Sequence, residues 1–139
     1  MQSERLLLIG GVGLVRGRVR DAGPVMVEIC DELEPVLRGG GYSEQAPFRT
    51  VSLILKFGTK KSLIPEYGSL DKKHCELPVS VELEMRALRR MPREDVKKEF
   101  LIATLSVLVD VAQRYGLPCE TLAEELKLLG EDRPQPGRK

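Results

Sequence analysis

Tryptophan is absent from this sequence of 139 residues, aromatic residues make up 4% of it, and histidine occurs once. His74 lies beside Cys75 in a segment whose composition is typical of a loop, and adjacent side chains of an extended chain point apart. This arrangement argues against a Cys-His pair or a Ser-His-Asp site. The lack of aromatic residues near the paired carboxylates Glu82 and Glu84 argues against glycoside hydrolysis. We therefore predict no catalytic residue.

Cysteine is also scarce, because the chain has three of them. Cys30, Cys75 and Cys119 are odd in number, widely spaced and without a CxxC pair. The spacing argues against a disulfide framework and against a zinc site, and it is typical of reduced thiols. We therefore predict a cytoplasmic protein with no metal and no cofactor.

The sequence has no excess charge and no long hydrophobic run. Its 22 basic and 21 acidic side chains give a net charge of +1, so no whole-molecule field attracts nucleic acid or an anionic membrane. The apolar run at 6–15 lacks a small-residue cleavage site and continues into arginines, which argues against a signal peptide. The run at 101–109 falls short of the ~20 residues that a membrane span needs. We predict no membrane partner.

The dominant feature that is present is the stretch FLIATLSVLVDVAQRY, residues 100–115. At helical spacing its apolar side chains cover an arc of roughly 240°, which predicts a long and mostly buried helix. So wide an arc has to contact more than one neighbour, so we expect a sheet under one side and helices against the flanks. Pro92, followed by Glu94 and Asp95, is typical of the start of this helix.

Two other segments alternate apolar and polar residues, which predicts strands with one buried and one wet face at 48–58 and 77–86. Strands with one buried and one solvent-exposed face favour an antiparallel sheet that helices cover on one side. We therefore predict an α+β fold with an antiparallel sheet of about three to five strands and a central C-terminal helix. A short edge strand is expected near Leu63.

The remaining segments complete one predicted domain at 1–130, followed by a disordered tail at 131–139. Residues 5–20 are interpreted as two strands around a turn or bulge at Gly10-Gly11. Apolar residues at helical spacing predict helices at 21–37 and 119–129.

Several separated phrases, in a fixed order, resemble a family of bacterial polymorphic-toxin immunity proteins over roughly residues 25–129. The phrases are APFRTVSLILKFG, PEYGSLDKK, ELPVSVELEM and FLIATLSVLVDVAQRYGLP. Within them the resemblance depends on Phe57-Gly58, Pro65-Glu66-Tyr67, Leu77, Glu82-Leu83, Leu105 and Tyr115-Gly116-Leu117. It implies a cytoplasmic protein without catalytic activity that binds and neutralises a cognate toxin by occluding its active or substrate-binding surface.

If the toxin is basic, exposed acidic residues are the candidate contacts, because charge complementarity speeds association. These residues are Glu82 and Glu84 on a wet strand face, and Glu28, Asp31 and Glu34 on the polar side of the first helix.

Three alternatives stay open. One is an enzyme, which would need a concave pocket that holds His74 with Cys30 or Cys75 and a perturbed pKa. Another is a nucleic-acid-binding regulatory domain that uses the basic patch at 86–98, although nucleic acid is not the expected partner. The third is a structural subunit whose N-terminal strands pair with a second copy, since the sequence does not define the oligomeric state.

Overall fold

The structure is a computed structural model that describes residues 7–13, 22–39, 47–69, 73 and 76–131. In these ranges the chain forms four strands and four helices. Their order is β1 (Leu7–Gly13), α1 (Ala22–Gly39), β2 (Thr50–Gly58), β3 (Ser62–Tyr67), β4 (Glu76–Glu84), α2 (Met85–Arg89), α3 (Arg93–Tyr115) and α4 (Glu120–Glu131). The α+β class is confirmed. The single domain at 1–130 stays a prediction. Within the predicted tail at 131–139, residues 132–139 lie outside the described ranges.

The strands form one sheet in the order β1-β2-β4-β3, and its pairing is mixed. β1 and β4 both run parallel to β2, whereas β3 pairs antiparallel with β4 at the sheet edge. The prediction of an antiparallel sheet is therefore wrong for two of the three strand pairs. For β1 and β2 the physical reason is the connection, because α1 joins them as a crossover that returns the chain to the same end of the sheet. For β2 and β4 the reason is β3, which runs antiparallel to β4 and carries the chain back before β4 begins. The predicted edge strand near Leu63 is confirmed as β3.

The first strand also differs from its prediction. β1 continues through Gly10 and Gly11, and its register with β2 runs without a shift from Leu7 opposite Thr50 to Gly13 opposite Lys56. The two glycines therefore form neither a turn nor a bulge, since parallel pairing through a helical crossover requires no turn at this point. Of the predicted second strand, residues 12 and 13 belong to β1, and residues 14–20, which include the arginines at 16, 18 and 20, lie outside the described residues.

The strand predicted at 77–86 ends earlier, because the chain enters the short helix α2 at Met85. Met85 continues the alternation of β4, but it also stands three residues before Leu88, which is buried at 3% exposure. A spacing of three places both residues on one helical face, so α2 buries Leu88 where an extended chain would turn it outward. α1 and α4 lie within two residues of their predicted bounds.

The long helix α3 is confirmed as the centre of the fold. It begins after Pro92 and ends at Gly116, whose φ of 68° is the left-handed conformation that favours glycine at a helix C-terminus. Its buried side chains include Phe100, Leu105 and Leu108, which are inaccessible or nearly so. The helix contacts strands β3 and β4 on one side and helices α1 and α4 on the others, as its wide apolar arc predicts.

Among the described residues, the helices cover one face of the sheet and leave the other uncovered, and we call this second side the uncovered face. Along β2 and β4 every second residue is buried, and the buried set is Val51, Leu53, Leu55, Phe57, Leu77, Val79, Val81 and Leu83. The residues between them are half-buried or exposed, so the helices cover one side only. In the described part of the chain, no helix is both long and apolar enough to cross a bilayer.

Candidate functional site

The uncovered face of the sheet is the first of two candidate contact surfaces. We define it by the outward residues of three strands: Ser52, Ile54 and Lys56 of β2, Ser62, Ile64 and Glu66 of β3, and Glu76, Pro78, Ser80, Glu82 and Glu84 of β4. The register places Ile54 opposite Ser80, and Ser80 opposite Glu66, so these side chains share one row across the sheet. The row therefore runs from an apolar side chain on β2 through a hydroxyl on β4 to a carboxylate on β3.

The predicted contacts Glu82 and Glu84 both lie on the uncovered face, near the end of β4. Glu82 stands opposite Lys56 in the register, and Glu84 stands opposite Gly58. The Glu82 carboxylate leans over Gly58, where a Cβ would overlap with it. Glycine at position 58 thus leaves room for this carboxylate to lie against the sheet surface.

The predicted contacts on α1 belong to a different surface. α1 buries Val25, Met26 and Ile29 in the core on the covered side of the sheet, so its polar residues point away from that core. Asp31 is exposed there, and Glu28 and Glu34 are half-buried. The structure therefore brings Glu82 and Glu84 together but separates them from the three acids of α1. The five candidates cannot form one contact surface.

Glu28 is also engaged within the molecule. It forms an ion pair with Arg93, and Lys97 Nζ lies 3.4 Å from Glu28 Oε1 and 2.7 Å from Glu32 Oε1. The hydrogen bond from Arg93 holds the pKa of the Glu28 carboxyl below its usual range, and the hydrogen bond to Glu32 raises the pKa of Lys97. These contacts join α1 to α3, so Glu28 has a structural role.

The same contacts bear on the basic patch at 86–98. Arg93 and Lys97, two of its members, direct their charges to acids of α1. A phosphate backbone would have to compete with these carboxylates for both side chains. The geometry therefore adds nothing in favour of the nucleic-acid alternative.

A family model described as Immunity protein 39 matches residues 1–128. The chain belongs to this family. The match confirms the resemblance to toxin immunity proteins and extends it to the N-terminal residues, since the shared phrases covered roughly 25–129. Membership implies an immunity function, which consists of binding a toxin. No curated protein and no solved structure matches the chain significantly.

In this member of the Immunity protein 39 family, the described residues contain no group of three or more potential metal ligands. Cys30 and Cys119 are half-buried thiols that form no disulfide. His74 and Cys75, the basis of the enzyme alternative, lie outside the described residues, so a site built on them stays untested.

Sequence reasoning did not identify Ile64 as a residue of the uncovered face. Ile64 is 79% exposed, more than any other large apolar side chain in the described ranges. The sequence predicts an edge strand near Leu63, but Pro65 and Gly68 interrupt the segment, so its two faces were not assigned. The alternation Leu63, Pro65, Tyr67 against Ser62, Ile64, Glu66 was the signal that could have identified an apolar residue on the wet side.

The edge strand β3 is held to α3 by polar contacts on the covered side. Tyr67 donates a hydrogen bond of 2.5 Å from its hydroxyl to Asp110 Oδ2, and the Arg114 guanidinium carbon lies 4.2 Å from the Tyr67 ring centroid. Lys61 Nζ lies 3.1 Å from Glu99 Oε1 at the other end of the strand. Burial, together with the hydrogen bond to Asp110, raises the pKa of the Tyr67 hydroxyl. β3, and with it Ile64, is thus fixed in position.

The Tyr67 contact predicts a dependence of stability on alkaline pH. Because the folded-state pKa of Tyr67 lies above the ordinary value of about 10, its contribution is complete below pH 10 and is lost as pH rises through the folded-state value. We expect Tyr67→Phe to lose about 1 kcal/mol of unfolding free energy at neutral pH. Above pH 10 the difference from the wild type should shrink. Urea denaturation of both proteins between pH 8 and pH 11 measures it, and parallel curves over the whole range would contradict the assignment.

Proposed function

We propose that this protein binds one cognate bacterial toxin in the cytoplasm of the cell that makes it, and neutralises the toxin by covering its active or substrate-binding surface. Membership of the Immunity protein 39 family is the observation that carries the proposal. A sheet with one face left uncovered supports it, because such a face offers side chains from three strands to a partner. A toxin of a polymorphic system, delivered by neighbouring cells or made by the cell itself, is the partner that this role requires.

The mechanism needs no chemistry from this chain. An inhibitor of this kind occupies the surface where the toxin would receive its substrate, and charge complementarity raises the rate at which the two proteins meet. Discrimination between related toxins then depends on the exposed side chains, because these change without cost to the core.

Co-expression tests the proposal. If the adjacent reading frame encodes a large secreted protein, its C-terminal domain is the toxin to use. We expect cells that express this domain alone to stop growing, and cells that also express this protein to grow at the rate of cells carrying an inactivated toxin. Growth arrest despite abundant folded inhibitor would overturn the proposed function. A toxin domain from an unrelated system serves as the control for specificity, and the protein should give no protection against it.

A further inference from the structure

We propose that the toxin docks face-on against the uncovered sheet face, with an apolar side chain packed on Ile54 and Ile64 and with lysine or arginine side chains over Glu66, Glu82 and Glu84. This inference rests on the proposed function and deepens it, since it selects one surface of the molecule and the chemistry of the partner that fits it. It assigns the apolar contacts to two isoleucines, Ile54 and Ile64.

The first argument is charge. The acids of the uncovered face are Glu66, Glu76, Glu82 and Glu84, and its base is Lys56. On the outer side of α1, by contrast, Glu28 and Glu32 are already matched by Arg93 and Lys97. A basic partner therefore gains more from the sheet face than from α1, because the α1 pairs would have to be broken first.

The second argument is the exposed apolar surface. Ile64 is 79% exposed and Ile54 is 38% exposed, and they lie on the two strands that flank β4, which presents Ser80 and Glu82 on this side. Strands lie about 4.8 Å apart, so two strand spacings, roughly 10 Å, separate the isoleucines across the sheet. A few side chains that become fully buried carry most of the binding free energy of an interface, and Ile64 is the most exposed large apolar side chain of the described residues.

The third argument concerns the β3 edge of the sheet, because addition of a strand at an edge is another way in which a sheet binds a partner. Pro65 within β3 has no backbone hydrogen to donate to an added strand. The register of β3 with β4 also shifts between Ser62 and Glu66. Proline and an irregular register both disfavour strand pairing, so the β3 edge is poorly suited to an added strand.

The test is binding of the purified, inactivated toxin domain from the adjacent reading frame to the full chain, measured by surface plasmon resonance. Ile64→Ala should weaken binding at least tenfold, mainly through faster dissociation. Glu82→Gln combined with Glu84→Gln should slow association and reduce its dependence on salt. Val27→Ala is the matched control, because Val27 is a 60% exposed apolar residue on α1, and its affinity should stay within twofold of the wild type.

Four outcomes separate the possibilities. No binding by the wild-type chain overturns the proposed function, and this inference with it. Wild-type binding that Ile64→Ala leaves unchanged overturns the inference alone. A concentration-dependent dimer in analytical ultracentrifugation that Ile64→Ala abolishes assigns the face to a second copy and also overturns it. A large drop in the unfolding midpoint of Ile64→Ala assigns the face to another segment of this chain, with the same consequence.

Discussion

Replacing Phe100 with alanine is expected to lower the free energy of unfolding by about 3–5 kcal/mol, among the largest effects of any single truncation in this chain. Phe100 is inaccessible at the middle of the core, and its ring stacks on that of Phe57 with 5.9 Å between centroids and an interplanar angle of 29°. Truncation removes that contact and leaves a cavity between α3 and the sheet, which a close-packed interior fills only in part.

Urea denaturation followed by circular dichroism measures the loss in the Phe100 variant. Gln113→Ala is the control on the same helix, since Gln113 is exposed and should change stability by less than about 0.5 kcal/mol. A double-mutant cycle with Phe57→Ala should return a coupling of about 0.5–1.5 kcal/mol, because the two rings contact each other directly. Equal and small losses at Phe100 and Gln113 would show that α3 is not the buried centre of the fold.

The second prediction contrasts two adjacent residues of β2. Leu55→Ala should cost about 2–5 kcal/mol of unfolding free energy, because Leu55 is fully buried on the covered face. Ile54→Ala should cost less than about 1 kcal/mol, because Ile54 points to the uncovered face and is 38% exposed. The chemistry of the two changes is nearly the same, so the difference reports the orientation of the strand.

Chemical denaturation of the two β2 variants under the same conditions gives both unfolding free energies, and the comparison tests whether Ile54 faces solvent. If Ile54→Ala is as destabilising as Leu55→Ala, something covers that face in the isolated protein. The proposed docking surface would then be part of the core, and both the sheet description and the face-on contact would have to be abandoned.

The acidic residues of β4 and of α1 show which features of the candidate site could be predicted from the sequence. Period-two alternation placed Glu82 and Glu84 on the wet side of their strand, and helical periodicity placed Glu28, Asp31 and Glu34 on the polar side of α1. Both placements are confirmed by the burial pattern. Periodicity acts along one element only, so it could not show that the two groups belong to different surfaces. It also could not show that Glu28 meets Arg93, which lies 65 residues away in sequence.

The sequence by itself determined the elements of this protein: the long buried helix, the half-wet strands and the wet faces that they present. It did so because burial repeats along the chain with the period of each helix or strand. The sequence was also sufficient to recognise the immunity family, which the family match confirms. The tertiary structure alone decided the parallel directions of β1, β2 and β4, the pairing of α1 with α3, and the isolation of Ile64 on an uncovered face. Strand direction depends on how a connection crosses the sheet, and ion pairs depend on the distance between residues far apart in sequence, so neither leaves a local pattern to detect.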